Sequence, residues 1–441
     1  MFLERQRGKY GSQVQPSQTV PLRLFPSSID ANAKRLLIGK ALRAIADGYV
    51  SILLPAYLLE LGLSAFQVGA VTTATLLGSA ALTILTGVIT SRFGHRRPFI
   101  AASGLMIATG LAFGSLHAFW PLMLVAFIGT LNPSSGDVSI FLPLDHSLLS
   151  QSVADRDRTT LFARYSLAAS LLGAVGTLLA GLPDLAARRL NATPLHAMQA
   201  MFWLYALIGT SAAIVYHGIV EPPPATAPAH QSLGPSRGIV YRLAAIFSVD
   251  AFGGGFFVQA ILALWLFKRF HLSVGAAATV FFWTNLLTAA SYLAAAPIAR
   301  RIGLIRTMVY THLPSSLCLI AIPFVSSLRA VVALLLLRSL LSQMDVPTRS
   351  SYVMAVVTPP ERAAAAGVTS VPRSLASAIS PTISGYLLSL SSFGSPLLIG
   401  GILKIAYDLT LLVMFRHVRP PEEAALGAKR QPSHHMQESD Q

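Results

Sequence analysis

The stretch GVITSRFGHRRP, from Gly87 to Pro98, decides the fold that this sequence predicts. It ends one long apolar run and is followed at once by another. It concentrates basic side chains within a few positions, namely Arg92, Arg96 and Arg97. A short basic turn between two apolar runs of membrane-spanning length is typical of a loop at a membrane surface. The stretch therefore indicates a polytopic membrane protein.

The composition of the whole chain indicates the same class of protein. Hydrophobic residues make up 53% of the 441 residues and charged residues only 12%, and the mean hydropathy is +0.60. A soluble protein of this composition would expose too much apolar surface. The net charge of +15 comes mostly from short turns between apolar runs. It is therefore explained by membrane orientation rather than by a nucleic-acid partner.

The basic turn occurs twice, and 303 − 94 = 209 residues separate the two copies. Both contain Arg-x-Gly-x-x-Arg: Arg92, Gly94 and Arg97 in the first, and Arg301, Gly303 and Arg306 in the second. Other matching positions are the pairs Asp47 and Asp250, Asp137 and Asp345, and Arg164 and Arg373. Such self-similarity predicts two halves related by a pseudo-twofold axis along the membrane normal.

The first copy resembles the loop between helices two and three of the major facilitator superfamily. The matching positions are Gly87, Arg92, Gly94, Arg96 and Arg97. The acidic position of the family pattern is Ser91 here, which puts the family's charge relay at this loop in doubt. The resemblance covers residues 34–417. It implies an all-α fold of twelve transmembrane helices in two six-helix bundles, a rocking motion of the two halves, and a small organic solute as substrate.

Apolar segments of about 20 residues or more, the length that crosses a bilayer, can be drawn twelve times along the chain. We expect an N-terminal arm at 1–33, a first six-helix bundle at 34–220, a linker at 221–238, a second bundle at 239–417 and a tail at 418–441. Alternate turns are richer in arginine, which by the positive-inside bias places both termini in the cytoplasm. The first 33 residues lack the apolar core of a signal peptide, and we expect a bacterial inner membrane.

Two acidic residues, Asp47 and Asp250, lie within the first and seventh spans. An ionised side chain in hydrocarbon is costly, so each should face a wet cavity or a partner. Arg43 lies one helical turn before Asp47, which leaves two interpretations: a neutralising Arg43 to Asp47 bridge, or a protonatable or substrate-binding acid. We predict that Asp47 and Asp250 couple transport to protons, because a carboxyl whose hydration changes with conformation also changes its proton affinity.

The tenth span carries polar side chains three or four residues apart: Arg338, Ser342, Asp345, Arg349 and Tyr352. This spacing stacks them on one helical face that should not meet lipid. Either the face lines the translocation path, or Asp345 and Arg349 form an internal salt bridge packed against the other half.

The fourth span is interrupted by Pro133 and Gly136, which free backbone groups that Asp137 can help to satisfy. Broken helices beside a cavity often bind substrate in transporters, so Asp137 is a pathway candidate. A proline kink that serves only the helix shape is the alternative.

Arg164 and Arg373 open the fifth and eleventh spans and are candidate gate residues, although arginines at helix ends also snorkel towards water. Lys404 and Asp408, one turn apart in the twelfth span, are interpreted as a neutralised pair.

Gln259 and Asn285 are candidate substrate contacts. Isolated polar residues in spans also hold helices together, which is the alternative for each of them.

The sequence contains no GxxxxGK[ST], HExxH or GxSxG motif, and its one cysteine, Cys318, lies in an apolar run. We therefore expect no enzymatic activity, no cofactor and no metal. The expected partners are the lipid bilayer, a small-molecule substrate and protons, without nucleic acid, and the protein should act as a monomer. The expected function is proton-coupled efflux of a hydrophobic or amphipathic metabolite or drug. An organic anion is the alternative substrate, and a non-transporting sensor on the same fold is the alternative class.

Overall fold

Long helices form the described part of the chain. The computed structural model of the protein describes residues 30–134, 139–151, 155–221, 233–358 and 361–415. These ranges contain α-helices, one 3-10 helix at Ile322–Phe324 and no strand. The helices are α1 (Ala31–Glu60), α2 (Ala65–Phe93), α3 (Arg96–Ser115), α4 (Phe119–Ile128), α5 (Phe141–Gln151), α6 (Asp155–Leu179), α7 (Leu182–Leu190), α8 (Pro194–His217), α9 (Arg237–Gly255), α10 (Gln259–Phe270), α11 (Val274–Ile302), α12 (Leu304–Ala321), α13 (Leu328–Leu341), α14 (Asp345–Val356), α15 (Arg362–Leu390) and α16 (Ser395–Phe415).

The helices account for twelve spans. Within the described ranges, ten segments are long and apolar enough to cross a membrane. The fourth span consists of α4, which is apolar but short, and α5, and the described residues between these two helices, 129–134 and 139–140, are not helical. The eleventh is α15, whose 29 residues would reach about 44 Å at a rise of 1.5 Å per residue. The predicted twelve-helix fold and the predicted break of the fourth span at Pro133 are confirmed.

The duplicated basic turns share a backbone conformation. Gly94 ends the turn between α2 and α3 with φ of 73°, and Gly303 joins α11 to α12 with φ of 91°. Side chains with a Cβ rarely adopt such angles, whereas glycine does so without strain. The repeat seen in the sequence is therefore also a repeat of local structure.

The two halves pack within themselves and against each other. In the first half α1 packs on α6 and α8, and α3 packs on α8. In the second half α9 packs on α15 and α16, and α12 packs on α16. Across the halves α2 packs on α15, α6 on α11 and α1 on α10.

Hydrogen bonds between the halves lie towards one side of the molecule. We call the side that holds Gly94 and Gly303 the basic face, and the side that holds the turn between α1 and α2 the opposite face. Near the opposite face, the amide of Gly275 donates to Asp184 Oδ2 over 2.8 Å. Somewhat deeper, the amide of Thr382 donates to Thr73 Oγ1 over 3.0 Å. These bonds join the halves in the part of the molecule next to the opposite face.

The helix breaks of the two halves also meet. The fourth span is interrupted around Pro133, and the seventh is interrupted between α9 and α10. The amide of Ala260, at the start of α10, donates to the carbonyl of Pro133 over 3.0 Å. Beside it, Gln259 Nε2 donates to Ser51 Oγ over 2.9 Å. Backbone groups that the breaks set free are thus partly satisfied across the interface.

Replacing Gly385 by valine should separate α2 from α15. A Cβ built on Gly385 would lie 3.0 Å from the Cα of Gly69, and closer still to the carbonyl oxygen of Ala65. Neither backbone atom can move aside without moving its helix, and such overpacking costs about 1–3 kcal/mol. We expect reduced crosslinking between cysteines introduced at Thr73 and Thr382 in a Cys318→Ser background.

The matched control is Gly367→Val. Gly367 lies on the same helix, α15, and has no atom within 4 Å of its built Cβ. Equal crosslinking of the Gly385 and Gly367 variants would show that the close approach of the glycines does not hold the halves together.

Candidate functional site

A buried cluster in the first half is centred on Arg43 of α1. Its guanidinium lies 2.7 Å from Asp145 Oδ2, and its Nε donates to the Tyr216 hydroxyl over 2.9 Å. The hydroxyl of Tyr165 also donates to Asp145 Oδ2. The guanidinium carbon lies 4.1 Å from the centre of the Phe141 ring. This arrangement neutralises Arg43 with a carboxylate, two phenols and an aromatic face.

Of the two interpretations left open for Arg43 and Asp47, the neutralising bridge between them is therefore wrong. Both residues lie on α1, but the guanidinium turns to Asp145, which is fully buried on α5. Asp47 accepts a hydrogen bond from Asn132 Nδ2 over 3.4 Å instead. This pairing could not be predicted from the sequence, because Asp145 lies beyond the break of the fourth span and is brought to α1 only by tertiary packing.

Asp47 lies on the wall of a small internal cavity. The cavity has a volume of about 10 Å³, which is room for about one water molecule. Its lining combines charged, hydroxyl and aromatic groups: Arg43, Asp47, Met106, Thr130, Ser139, Phe141 and Tyr205. A solute of metabolite size does not fit here unless the surrounding helices move apart.

A second buried cluster lies in the other half, centred on Asp250 of α9. Asp250 Oδ2 lies 3.2 Å from Arg349 Nη1, and Oδ1 lies 2.6 Å from Lys404 Nζ. Arg349 also bonds Asp345 Oδ2 over 2.9 Å, one helical turn away. The carboxylates of Asp250 and Asp345 each retain only 6% exposure. The internal salt bridge proposed for the tenth span is thus present, and it is joined to the seventh and twelfth spans.

His312 extends this second cluster. Its Nδ1 lies 2.9 Å from Asp408 Oδ1, and its Nε2 lies 3.2 Å from Lys404 Nζ. The expected one-turn pair of Lys404 with Asp408 is therefore wrong, because the lysine reaches Asp250 and the histidine takes Asp408. Sequence reasoning missed His312, although an ionisable residue inside an apolar span was a usable signal.

The two clusters have opposite polarity. In the first half the first span supplies the cation, Arg43, and the fourth span supplies the anion, Asp145. In the second half the corresponding spans are the seventh and the tenth. There the seventh span supplies the anion, Asp250, and the tenth span supplies the cation, Arg349. Both ion pairs therefore tie the same two spans of their half together, with the charges exchanged.

The polar stripe of the tenth span is not continuous. The helix is interrupted between α13, which carries Arg338, and α14, which carries Arg349. Arg338 is half-buried, and its guanidinium carbon lies 4.6 Å from the centre of the Phe257 ring. Within the described ranges Arg338 has no ion pair. Tyr352 is fully buried, with its ring edge-on to Phe415.

The other predicted site residues are placed as follows. Gln259 bonds across the halves, as described above. The Nδ2 of Asn285 and the Nε of Arg373 are buried without a hydrogen-bond partner in the described structure. Arg164 lies in α6, but its side chain is outside the described part of the structure, as is the whole of Asp137. The roles predicted for these residues stay predictions.

The first basic turn receives a carboxylate from a distant position. Glu221, after α8, accepts hydrogen bonds from the amides of His95 and Arg96 over 3.0 Å and 2.7 Å. Burial opposes ionisation of Glu221, but these two N–H groups outweigh it and lower the pKa of its carboxyl. The first basic turn is thus bound by a carboxylate that lies at the other end of the first half in sequence. Arg92, Arg97, Arg301 and Arg306 are exposed around the two turns.

The second half has a hydrogen-bonded carboxylate in a different place, at Glu361 next to α15. Its Oε2 accepts from Ser236 Oγ over 2.6 Å and from the Thr358 hydroxyl over 2.5 Å, and Oε1 accepts from the amide of Gly234. These hydrogen bonds, led by that of Ser236, lower the pKa of Glu361 from 4.5 to about 2. Glu361 therefore anchors the segment before α9.

Replacing Glu361 by glutamine should remove part of the acid sensitivity of the protein. A lowered folded-state pKa means that the ionised carboxylate stabilises the fold above about pH 4.5, and that this contribution is lost as the pH falls towards about 2. We expect the Tm difference between wild type and Glu361→Gln to shrink over that range, measured by melting in detergent. Glu60→Gln, an exposed carboxylate at the end of α1, is the control. A Tm difference that is independent of pH would contradict the assignment.

Two duplicated sets of six spans, each with a buried ion pair between its first and fourth spans, define a membrane transporter of the twelve-helix type. The family model of the Major Facilitator Superfamily matches residues 36–248 and 243–438. The chain therefore belongs to this superfamily, and the resemblance seen in its basic turn is confirmed.

Individual relatives are distant. A membrane protein of Saccharomyces cerevisiae is 24% identical over 410 residues, which are 85% of this chain and 92% of that protein. The crystal structure of the nucleoside transporter NupG superposes with a TM-score of 0.67 at 14% identity, over 87% of this chain and 99% of that one. The human organic anion transporter MFSD10 superposes with a TM-score of 0.62 at 17% identity, over 88% and 100% of the two chains. At these identities the solved structures establish the fold alone.

Proposed function

We propose that this protein is a proton-coupled secondary transporter of a small organic anion that works by alternating access. The arginine-rich turns support a cytoplasmic position for both termini. Asp47 at the cavity wall and Asp250 in the second cluster are the proposed coupling residues. The similarity to the fold of an organic anion transporter is compatible with this substrate class.

The observation that carries the proposal is the environment of Arg338. A cation inside a membrane span requires a partner, and Arg43 and Arg349, at the centres of the ion pairs of the two clusters, have carboxylates within 3.2 Å. Arg338 instead lies against the face of Phe257, next to breaks in both the seventh and the tenth span. A guanidinium matches carboxylate or phosphate oxygens in bidentate geometry. An anionic solute would thus supply the partner that the described residues do not.

Efflux of an uncharged amphipathic metabolite is the second candidate. It is favoured by the cavity in the first half, whose lining includes the apolar or aromatic side chains of Met106, Phe141 and Tyr205. Such a lining suits a solute that combines rings with a few hydroxyl groups.

A thermal-stability screen of the purified protein tests these candidates. Ligands that bind the folded state raise Tm with increasing concentration. We would compare benzoate, hexanoate and phenyl phosphate with the neutral analogue benzamide, using wild type, Arg338→Gln and the exposed control Arg301→Gln. For a hit anion we expect Arg338→Gln to weaken binding about tenfold or more, since a factor of ten corresponds to about 1.4 kcal/mol.

The outcomes separate the two candidates. Stabilisation by anions that Arg338→Gln removes and Arg301→Gln leaves unchanged supports the anion transporter. Stabilisation by benzamide equal to that by benzoate in all three proteins would contradict it and favour the uncharged solute.

A further inference from the structure

His312 is held on both ring nitrogens inside the second cluster. It is only 3% exposed on α12. Nδ1 lies 2.9 Å from Asp408 Oδ1, Nε2 lies 3.2 Å from Lys404 Nζ, and the same Nε2 lies 4.0 Å from Asp250 Oδ1. A histidine at the centre of two carboxylates and an ammonium group is able to exchange one proton for another cation.

The partners of His312 define its protonation state. The ammonium of Lys404 can only donate a hydrogen bond, so Nε2 must accept it. The carboxylate of Asp408 accepts, so the single ring proton of a neutral imidazole lies on Nδ1. With Asp408 ionised and Lys404 charged, this geometry fits a neutral His312 whose only basic nitrogen is occupied by Lys404.

A second proton on Nε2 cannot coexist with this arrangement. It would direct an N–H group at the Lys404 ammonium, which would repel it. The nearest acceptor for that N–H group is Asp250 Oδ1 at 4.0 Å, which Lys404 now holds at 2.6 Å. Protonated His312 and Lys404 therefore compete for the same carboxylate oxygen.

The ammonium group of Lys404 has an alternative contact near its present position. Its Nζ lies 5.9 Å from the centre of the Phe257 ring, the ring over which Arg338 is also placed. The long side chain of a lysine allows its head group to move by several ångströms. A Lys404 that leaves Asp250 would thus join Arg338 at Phe257 and add a second cation there.

The charge balance of the cluster favours this exchange. The second cluster and its surroundings include three carboxylates and four cations, of which Asp250, Lys404 and Asp408 lie against His312, together with the edge-on ring of Tyr407 on α16. The carboxylates are Asp250 on α9, Asp345 on α14 and Asp408 on α16; the cations are Lys404 on α16, Arg349 on α14, Arg373 on α15 and Arg338 on α13. If Arg338 is left out and His312 is neutral, the three carboxylates balance the three remaining cations, and the net charge of these groups is zero. A proton on His312 adds one positive charge, which an anion bound by Arg338 and Lys404 would compensate.

We infer that Asp250 couples transport to protons through His312: a proton binds His312, protonated His312 replaces Lys404 at Asp250, and Lys404 moves to Phe257, where Lys404 and Arg338 bind the carboxylate or phosphate of the solute. The solute part of this inference rests on the proposed function, whereas the proton exchange does not. Proton and anion then bind together, which means cotransport in the same direction rather than exchange.

The proton exchange is tested without any ligand. We would measure Tm between about pH 5 and 8, the range in which histidine titrates. Wild type should show a step in Tm that His312→Gln abolishes and the exposed control His271→Asn retains. Lys404→Met, which frees Nε2, should move the step to higher pH, and Asp250→Asn, which removes the acceptor, should move it to lower pH. If Asp250→Asn does not fold, the Lys404→Met shift decides.

The coupling is tested by proton uptake in weakly buffered solution with benzoate, hexanoate and phenyl phosphate. On the alkaline side of the step, where free His312 is still neutral, wild type should take up about one proton per anion bound, and His312→Gln none. An unchanged step in His312→Gln, or a Lys404→Met step at lower pH, would overturn the role of His312. A correct step with anion binding that takes up no proton would overturn the coupling. A correct step without binding of any of the three anions would overturn the proposed function and leave the proton exchange standing.

Discussion

Replacement of Arg43 by methionine should lower the free energy of unfolding by about 3–5 kcal/mol, because it leaves a buried carboxylate without its cation. Asp145 is fully buried, and its Oδ1 has no hydrogen-bond partner in the described part of the protein. The Tyr165 hydroxyl alone cannot neutralise it. The loss would be measured by chemical denaturation in detergent and as a fall in Tm.

The double variant Arg43→Met with Asp145→Leu separates charge from packing. Removing both members of a buried ion pair is often close to neutral, so most of the lost stability should return. Lys34→Met is the matched control, since Lys34 is an exposed cation on the same helix. A double variant as unstable as the single one would mean that the pair acts through shape and not through charge.

Asp250→Ala should be at least as damaging in the other half. It removes the carboxylate that Arg349 and Lys404 share, and leaves Lys404 with the neutral His312 as its remaining partner. We expect a loss of about 3–5 kcal/mol in the same denaturation assay.

Asp345→Asn is the informative comparison for this cluster. It removes one of the two carboxylates of Arg349 but leaves Asp250 in place, so its cost should be smaller than that of Asp250→Ala. Adding Lys404→Met to Asp250→Ala should recover part of the stability. If Asp345→Asn costs more than Asp250→Ala, then Asp250 is not the centre of the cluster.

The sequence predicted the positions of the important charges better than their partners. A charged side chain within an apolar run is costly in the membrane wherever it lies, so such a residue can be recognised from the sequence alone. This is how we could identify Asp47, Asp250 and Arg349. Partner choice is a tertiary property. Arg43 and Lys404 each had an acid one helical turn away, yet both bond acids on other helices, where burial makes a direct ion pair more valuable.

The breaks in the spans were only partly predictable. Pro133 marks the interruption of the fourth span, because proline removes a donor and clashes with the preceding turn. The interruption between α13 and α14 has no proline or glycine at residues 342–344, but Pro347 in the first turn of α14 cannot bond the carbonyl of residue 343 and was the local signal that our interpretation missed. The stripe that was predicted on one helix face is consequently divided between two helices.

The hydrogen bond from Ala260 to Pro133 has a consequence for the rate of opening. It joins the fourth and seventh spans through a main-chain N–H group and a main-chain carbonyl group that lie at the interruptions of these spans. When the halves separate at this point, the amide of Ala260 and the carbonyl of Pro133 both lose their hydrogen-bond partner. A buried polar group without a partner costs free energy. Water must therefore enter before the halves can part, or a solute that carries its own donor and acceptor must take over both bonds. The gap between the broken helices would then select solutes by how well their own donor and acceptor replace this hydrogen bond. A purely apolar solute replaces neither, so it would meet the highest free-energy barrier to opening.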